Sequence, residues 1–329
     1  MESGAFMSTT TESNSPKLSR PQEKLLSNII HQMESVTGDW EMPWHNLGKS
    51  GTPQNIYSAK NYRGFNKLVL MLKQSEMGYT TPNWGTLRQW NSRRSKVLAG
   101  EKAVTLFYPV FRYDKRGNEH LAYFRPFWVF NGNQVSNYNP DHPDLFDGMG
   151  LNNDFVLPSV DELIRARKIS LSFGGMSAYY NFVQDRISIP AKKKFVGSST
   201  STANEAFHAT LLHEMVHWTG HKSRLNRPHH QHWGDDVYAF EELIAEIGAA
   251  FICCDYNITN APREDHAKYL KSWLRSLNED MSLLWTAASQ AQKAVDYLIG
   301  QKEKAPEHDH EEPTDFALEM QPTQSDLFY

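Results

Sequence analysis

The stretch from Thr202 to Gly220, TANEAFHATLLHEMVHWTG, constrains this chain more than any other. Thr202 and Glu205 stand in capping-box spacing, apolar residues recur at helical intervals, and Gly220 lies where a helix would stop. A helix with these ends sets His213 and His217 four residues apart on one face. Two imidazoles one turn apart can share a single tetrahedral metal ion. Glu214 falls on the adjoining flank, where a carboxylate can take a proton from water that the metal has activated. Two histidines and a base make an incomplete centre, so a further ligand has to come from another element.

A second helix is expected to begin near Asp235 or Asp236, where an Asp can cap it, and to run through VYAFEELIAEIGAAFI. Phe240, Leu243, Ile244, Ile247 and Phe251 give it an apolar surface, and Glu242 and Glu246 share one stripe of it. Acids that only solvate a surface have no need of that placement. Glu242, 25 residues after His217, is the expected third ligand, and Glu246 is expected to hydrogen-bond a ligand histidine from behind. Glu241 points off the stripe and is expected to face solvent. His221 follows His217 by four, but Gly220 ends the helix before it, so His221 is expected to leave the ligand face. His229, His230 and His232 read as a solvated loop. The expected ion is Zn2+, with other divalent metals as alternatives.

A length of 329 residues suits two domains. Their boundaries follow composition. Residues 1–20 read as a disordered leader, 21–140 as an N-terminal α+β domain and 161–300 as a C-terminal domain of a small sheet followed by helices. Residues 141–160, dense in Asn, Asp, Pro and Gly, read as a linker, and 301–329 as an acidic, disordered tail. Within the first domain the pattern predicts helices over 21–36 and 64–78, then a hairpin from Val104–Tyr113 and Leu121–Asn131. Within the second, Ala178 to Val183 reads as an edge strand ahead of the His-bearing helix. No stretch of about 18 uncharged apolar residues is present to cross a membrane. The two cysteines, Cys253 and Cys254, are adjacent and offer no disulfide framework, so a reducing cytoplasm is expected.

Charge divides the chain unevenly. The first 135 residues hold 17 Lys and Arg against 10 Asp and Glu, and the remainder hold 17 against 28. A polyanion is therefore expected on the N-terminal half. Residues 40–130 also hold 17 of the 40 aromatics, interleaved with the basic positions. Basic groups that neutralise phosphates and rings that stack unpaired bases together suit single-stranded DNA. The candidates are Tyr62, Arg63, Trp84, Arg88, Trp90, Arg93, Arg94, Lys96 and Lys102. The competing reading keeps Trp84, Trp90, Phe107 and Trp128 in a core.

Five segments carry a family resemblance: NYRGFNKLVL at 61–70, GYTTPNWGTLRQW at 78–90, HEMVHWTGHKSRLNR at 213–227, EELIAEIGAAF at 241–251 and ASQAQKAVDYL at 288–298. The chain resembles the ArdC or TraC-type antirestriction proteins of conjugative plasmids and phages over about residues 20–300. The resemblance implies a single-stranded-DNA-binding domain joined to a zincin-like metallopeptidase domain, and protection of entering DNA from host restriction. Two readings stay open at this level, a zinc metallopeptidase acting on a protein substrate and a non-catalytic DNA-coating protein with a structural metal. In the tail, Gln324, Leu327 and Phe328 resemble the pentapeptide with which bacterial proteins bind the sliding clamp. Two apolar anchors on a solvated tether suit that partner.

Overall fold

The computed structural model describes residues 18–34, 50–138, 158–198, 201–228, 236–259 and 267–300. The expected leader, most of the expected linker, the His229–His232 cluster and the tail with Gln324, Leu327 and Phe328 lie outside the described residues. The architecture is α+β in two domains, as the sequence predicts.

The N-terminal part comprises α1 (Arg20–Glu34), β1 (Gln54–Asn55), α2 (Gly64–Met77), β2 (Asn83–Gly85), α3 (Leu87–Ser92), β3 (Val104–Tyr113) and β4 (Glu119–Asn131). Its four strands lie in the order β1-β2-β4-β3, with β1 and β2 parallel and the other pairs antiparallel. The β3–β4 hairpin closes where Asp114 accepts the backbone N–H groups of Arg116 and Asn118 and Gly117 takes φ +82°. α2 stops at Gly78, whose φ of +62° suits glycine and whose N–H reaches back to the last-turn carbonyls.

The C-terminal part comprises α4 (Val160–Arg167), β5 (Ser170–Phe173), β6 (Tyr179–Asn181), β7 (Arg186–Ile189), α5 (Ala203–Thr219), α6 (Asp236–Asp255), α7 (Ala267–Glu279) and α8 (Ser282–Ile299). The sheet order is β5-β7-β6, so β6 is an edge strand, and it runs antiparallel to β7 and against α5. α5 starts with the expected reciprocal pair of Thr202 and Glu205. α5, α6 and α8 pack on one another. Gly248 allows the α5–α6 crossing, because a Cβ there would come within 2.9 Å of Val216 Cγ2, next to His217.

The largest apolar core runs through both domains, and a small separate cluster of Ile56, Trp90 and Val135 lies in the N-terminal one. Trp285 of α8 is stacked on Phe65 of α2 at 4.3 Å and also meets Phe107 and Phe124 of the hairpin. α1 packs on α7 of the C-terminal part. Among the described residues no helix is long and apolar enough to cross a membrane.

Candidate metal centre

His213 and His217 sit one turn apart on α5, facing Glu242 on the first half of α6. The three side chains form a triangle with close donor contacts: 3.1 Å between the two histidine Nε2 atoms, 3.5 Å from His213 Nε2 to Glu242 Oε2, and 3.5 Å from His217 Nε2 to the other carboxylate oxygen, Oε1. A tetrahedral ion with bonds of about 2.1 Å would need edges of roughly 3.4 Å. The three donors therefore fit a divalent cation with a further coordination position left open. Among the described residues they are the group of metal-ligating side chains whose donor atoms all lie within 4.8 Å of one another.

The opposite nitrogen of each ring faces a carboxylate. His213 Nδ1 lies 3.6 Å from Glu246 Oε1, and His217 Nδ1 lies 3.2 Å from Glu241 Oε1. A proton on each Nδ1 leaves both Nε2 lone pairs converging, which is repulsive unless a cation occupies the space between them. The charges around the rings also favour a cation. Burial alone would lower the pKa of His217, but the Glu242 and Glu241 carboxylates outweigh it and lift the value to about 10. Burial alone would raise Glu242, but His217 and His213 hold it well below the usual carboxylate range. The site thus attracts positive charge strongly.

Glu241 corrects the sequence reading. It is buried at 7% exposure, not solvent-facing, and orients His217 while Arg227 grips its carboxylate. The helix-stripe argument missed it because α6 is buried on most of its circumference, so a residue off the ligand stripe still finds protein. Glu214 is buried one residue after His213. His221 stays out of the triangle, with its ring against Phe182 and its Nδ1 on the Ser223 hydroxyl. A small cleft between β6 and α5 is lined by Tyr180, Phe182, His217, Gly220, Arg227, Pro228 and Glu241.

The nucleic-acid candidates separate into two groups. Trp84 and Trp90 are wholly buried at 0% exposure, with indole N–H groups donated to Gln74 Oε1 and the Phe130 carbonyl. Neither shows a face to a base, a correction that favours the core alternative for both. Tyr62 is half-buried and accepts a hydrogen bond from Asn55, and burial pushes its phenol well above the ordinary range. Arg63 is ion-paired with Asp296 of α8. Arg88, Arg94, Lys96 and Lys102 are exposed around α3 and the following loop, and Arg93 is half-buried beside Tyr57. Among the described residues of the N-terminal part, the exposed rings are Tyr57, Tyr113, Tyr123 and Trp128, none of them among the sequence candidates. Strand alternation could have found Trp128, since Val129 next to it points inward.

Comparison with known proteins agrees with this architecture. Residues 19–130 match the N-terminal domain of anti-restriction factor ArdC, and residues 158–290 match a zincin-like metallopeptidase. An uncharacterized protein of Sinorhizobium fredii is 34% identical over 301 residues, covering 86% of this chain and 92% of that one. DNA primase TraC of Escherichia coli is 29% identical over 300 residues, and there the match spans 27% of its length. The crystal structure of metal-free antirestriction protein ArdC from plasmid R388 is 33% identical, covers 84% of this chain and 95% of its own, and gives a TM-score of 0.63. The Mn(II)-bound form of the same protein is 32% identical, covers 85% and 97%, and gives 0.65. With both halves matched by family models and a solved ArdC overlaid along most of its length, this chain belongs to the ArdC-type antirestriction family.

Proposed function

We propose that this protein binds single-stranded DNA through its N-terminal domain, shields entering plasmid or phage DNA from host restriction, and carries a working peptidase centre. The observation that supports the peptidase is the donor triangle of His213, His217 and Glu242, backed by Glu246 and Glu241. Zinc is the proposed ion in the cell, although the related R388 protein has been crystallised with Mn(II). A bound divalent ion supplies Lewis acidity that activates water and polarises a peptide carbonyl. Glu214 serves as the base that takes the water proton, and the unpaired edge of β6 offers backbone groups to an extended substrate.

Glu214→Gln provides the test. The variant is expected to keep its metal and fold, because Glu214 is outside the donor triangle, while peptide hydrolysis falls by about a hundredfold or more. Equal hydrolysis of an unstructured protein substrate by variant and wild type would remove the peptidase reading. Antirestriction that survives in Glu214→Gln would instead favour the DNA-coating reading.

The DNA reading rests on the exposed basic group of Arg88, Arg94, Lys96 and Lys102 and on the exposed rings of Tyr57 and Trp128. Four phosphate contacts would give log affinity a slope of about −3 against log salt, at roughly −0.7 per contact on single strands. Replacing Arg94 and Lys96 together by Ala is expected to flatten that slope by about half. A slope unchanged by the double replacement, measured by fluorescence anisotropy with oligonucleotides, would move the interface elsewhere.

A further inference from the structure

The loop from His221 to Pro228, which follows α5, carries two arginines with little-exposed side chains, Arg224 paired with Asp185 and Arg227 paired with Glu241. The Arg227 side chain is 4% exposed. Its Nε and Nη2 donate to the two oxygens of Glu241 at 2.9 and 2.7 Å, its Nη1 donates to Thr219 Oγ1 at 2.8 Å, and Nη2 also reaches the Val216 carbonyl at 2.8 Å. Burying a guanidinium is costly, and here it is met by a forked carboxylate pair in which both oxygens of Glu241 are engaged. Glu241 Oε1, so fixed, lies 3.2 Å from His217 Nδ1.

Gly220 gives an independent indication. It ends α5 at φ −72° and ψ −12°, an ordinary right-handed conformation that any residue can adopt. Glycine is therefore not required there for backbone reasons. Space favours it: a Cβ at this position would come within 2.9 Å of Arg227 Nη2, 3.1 Å of its Cζ and 3.1 Å of the His217 carbonyl oxygen. The end of the histidine-bearing helix is thus shaped around the guanidinium.

We infer that Arg227 is a positioning residue for the metal centre, acting through Glu241 to hold His217 with Nδ1–H toward the carboxylate and Nε2 toward the ion. The inference rests on reading His213, His217 and Glu242 as a metal centre. Arg227 itself touches none of the three donor atoms, and its effect passes through one carboxylate. A glutamate without that grip can rotate about its side-chain bonds, and the imidazole it orients then loses its fixed direction. Lysine cannot replace the arginine, because a single ammonium does not engage both carboxylate oxygens in a plane.

The test compares the full chain with Arg227→Met, Glu241→Gln, their double variant, Gly220→Ala and the exposed-loop control Lys222→Ala. The readouts are affinity for Zn2+ and for Mn2+ by chelator competition, and the His217 tautomer in the Zn2+-loaded protein by long-range imidazole NMR. Arg227→Met and Glu241→Gln should each weaken binding about 10- to 100-fold, the range for partners that orient a metal-bound histidine. The double variant should be little worse than the weaker single, because both changes break one link. Gly220→Ala should weaken binding in the same direction, and Lys222→Ala should leave it unchanged. If Arg227→Met fails to fold, Glu241→Gln and Gly220→Ala still decide the matter. Wild-type affinity and tautomer in these folded variants, or losses that simply add in the double variant, would overturn this inference alone. A wild-type chain that takes up neither ion would overturn the metal reading and this inference with it.

Discussion

Replacing Glu242 by Ala is expected to lower divalent-metal affinity about a hundredfold to a thousandfold. Four-ligand zinc sites bind with about 10–16 kcal/mol near neutral pH, or roughly 2.5–4 kcal/mol per ligand, and about 1.4 kcal/mol corresponds to a factor of ten. Glu246 cannot take over, since its carboxylate faces Nδ1 of His213 on the side of the ring away from the triangle. Loss of Glu246 itself should therefore cost less, in the range of about 10- to 100-fold. The same titrations carry a pH signature. With no metal bound, His217 holds its proton up to a pH of about 10, so across the neutral range each bound ion displaces it. Affinity should accordingly rise with pH, by close to one power of ten per unit, and should flatten above that value. Chelator competition at several pH values measures both effects. Wild-type-like metal content in Glu242→Ala would show that the third donor lies elsewhere.

The candidate metal centre was largely legible because its grammar is local. Thr202, Glu205 and Gly220 mark the ends of α5, and the four-residue spacing of His213 and His217 needs no tertiary information. Glu242 was legible one step further out, from the phase of a single apolar helix. Glu241 and Arg227 were not, because their roles depend on how the loop after α5 folds back under α6, which no periodicity records. The N-terminal half was less readable for a related reason. Aromatic composition counts Trp84 and Trp128 alike, yet Trp84 lies in the sheet interior and Trp128 on an exposed strand position. β1, β2, α3, α4 and β5 also escaped, being elements of two to eight residues, too short for a pattern to stand out. α4 in particular starts at Val160, at the edge of what composition marked as linker, where Ser159 and Glu162 form a reciprocal cap.

A lysine in the run NKLVLML points to a contact that sequence placed on a helix but could not partner. Lys67 of α2 is 3% exposed in its side chain, and its Nζ donates to Asp255 Oδ1 at 2.6 Å and to the Phe251 carbonyl at 3.1 Å. Asp255 is the last residue of α6, the helix whose first half carries Glu242, so the joint between the two parts and the candidate metal ligand belong to one rod. Thr52 adds a second donor to the same carboxylate oxygen at 2.6 Å. Lys67→Ala should destabilise the protein by about 3 kcal/mol, the lower end for breaking a buried pair, because the Asp255 side chain keeps 14% exposure and some access to water. The loss arises mainly from the carboxylate left behind. Removing both charges should therefore be milder than removing one: Lys67→Met with Asp255→Leu fills the joint with apolar side chains and should recover most of the stability. Urea unfolding of the full chain distinguishes the cases, provided that the slope stays constant across the variants. A single variant with the wild-type midpoint would show that this ion pair contributes nothing to holding the N-terminal part against α6. A double variant as unstable as the single would instead place the loss in packing around the lysine stem.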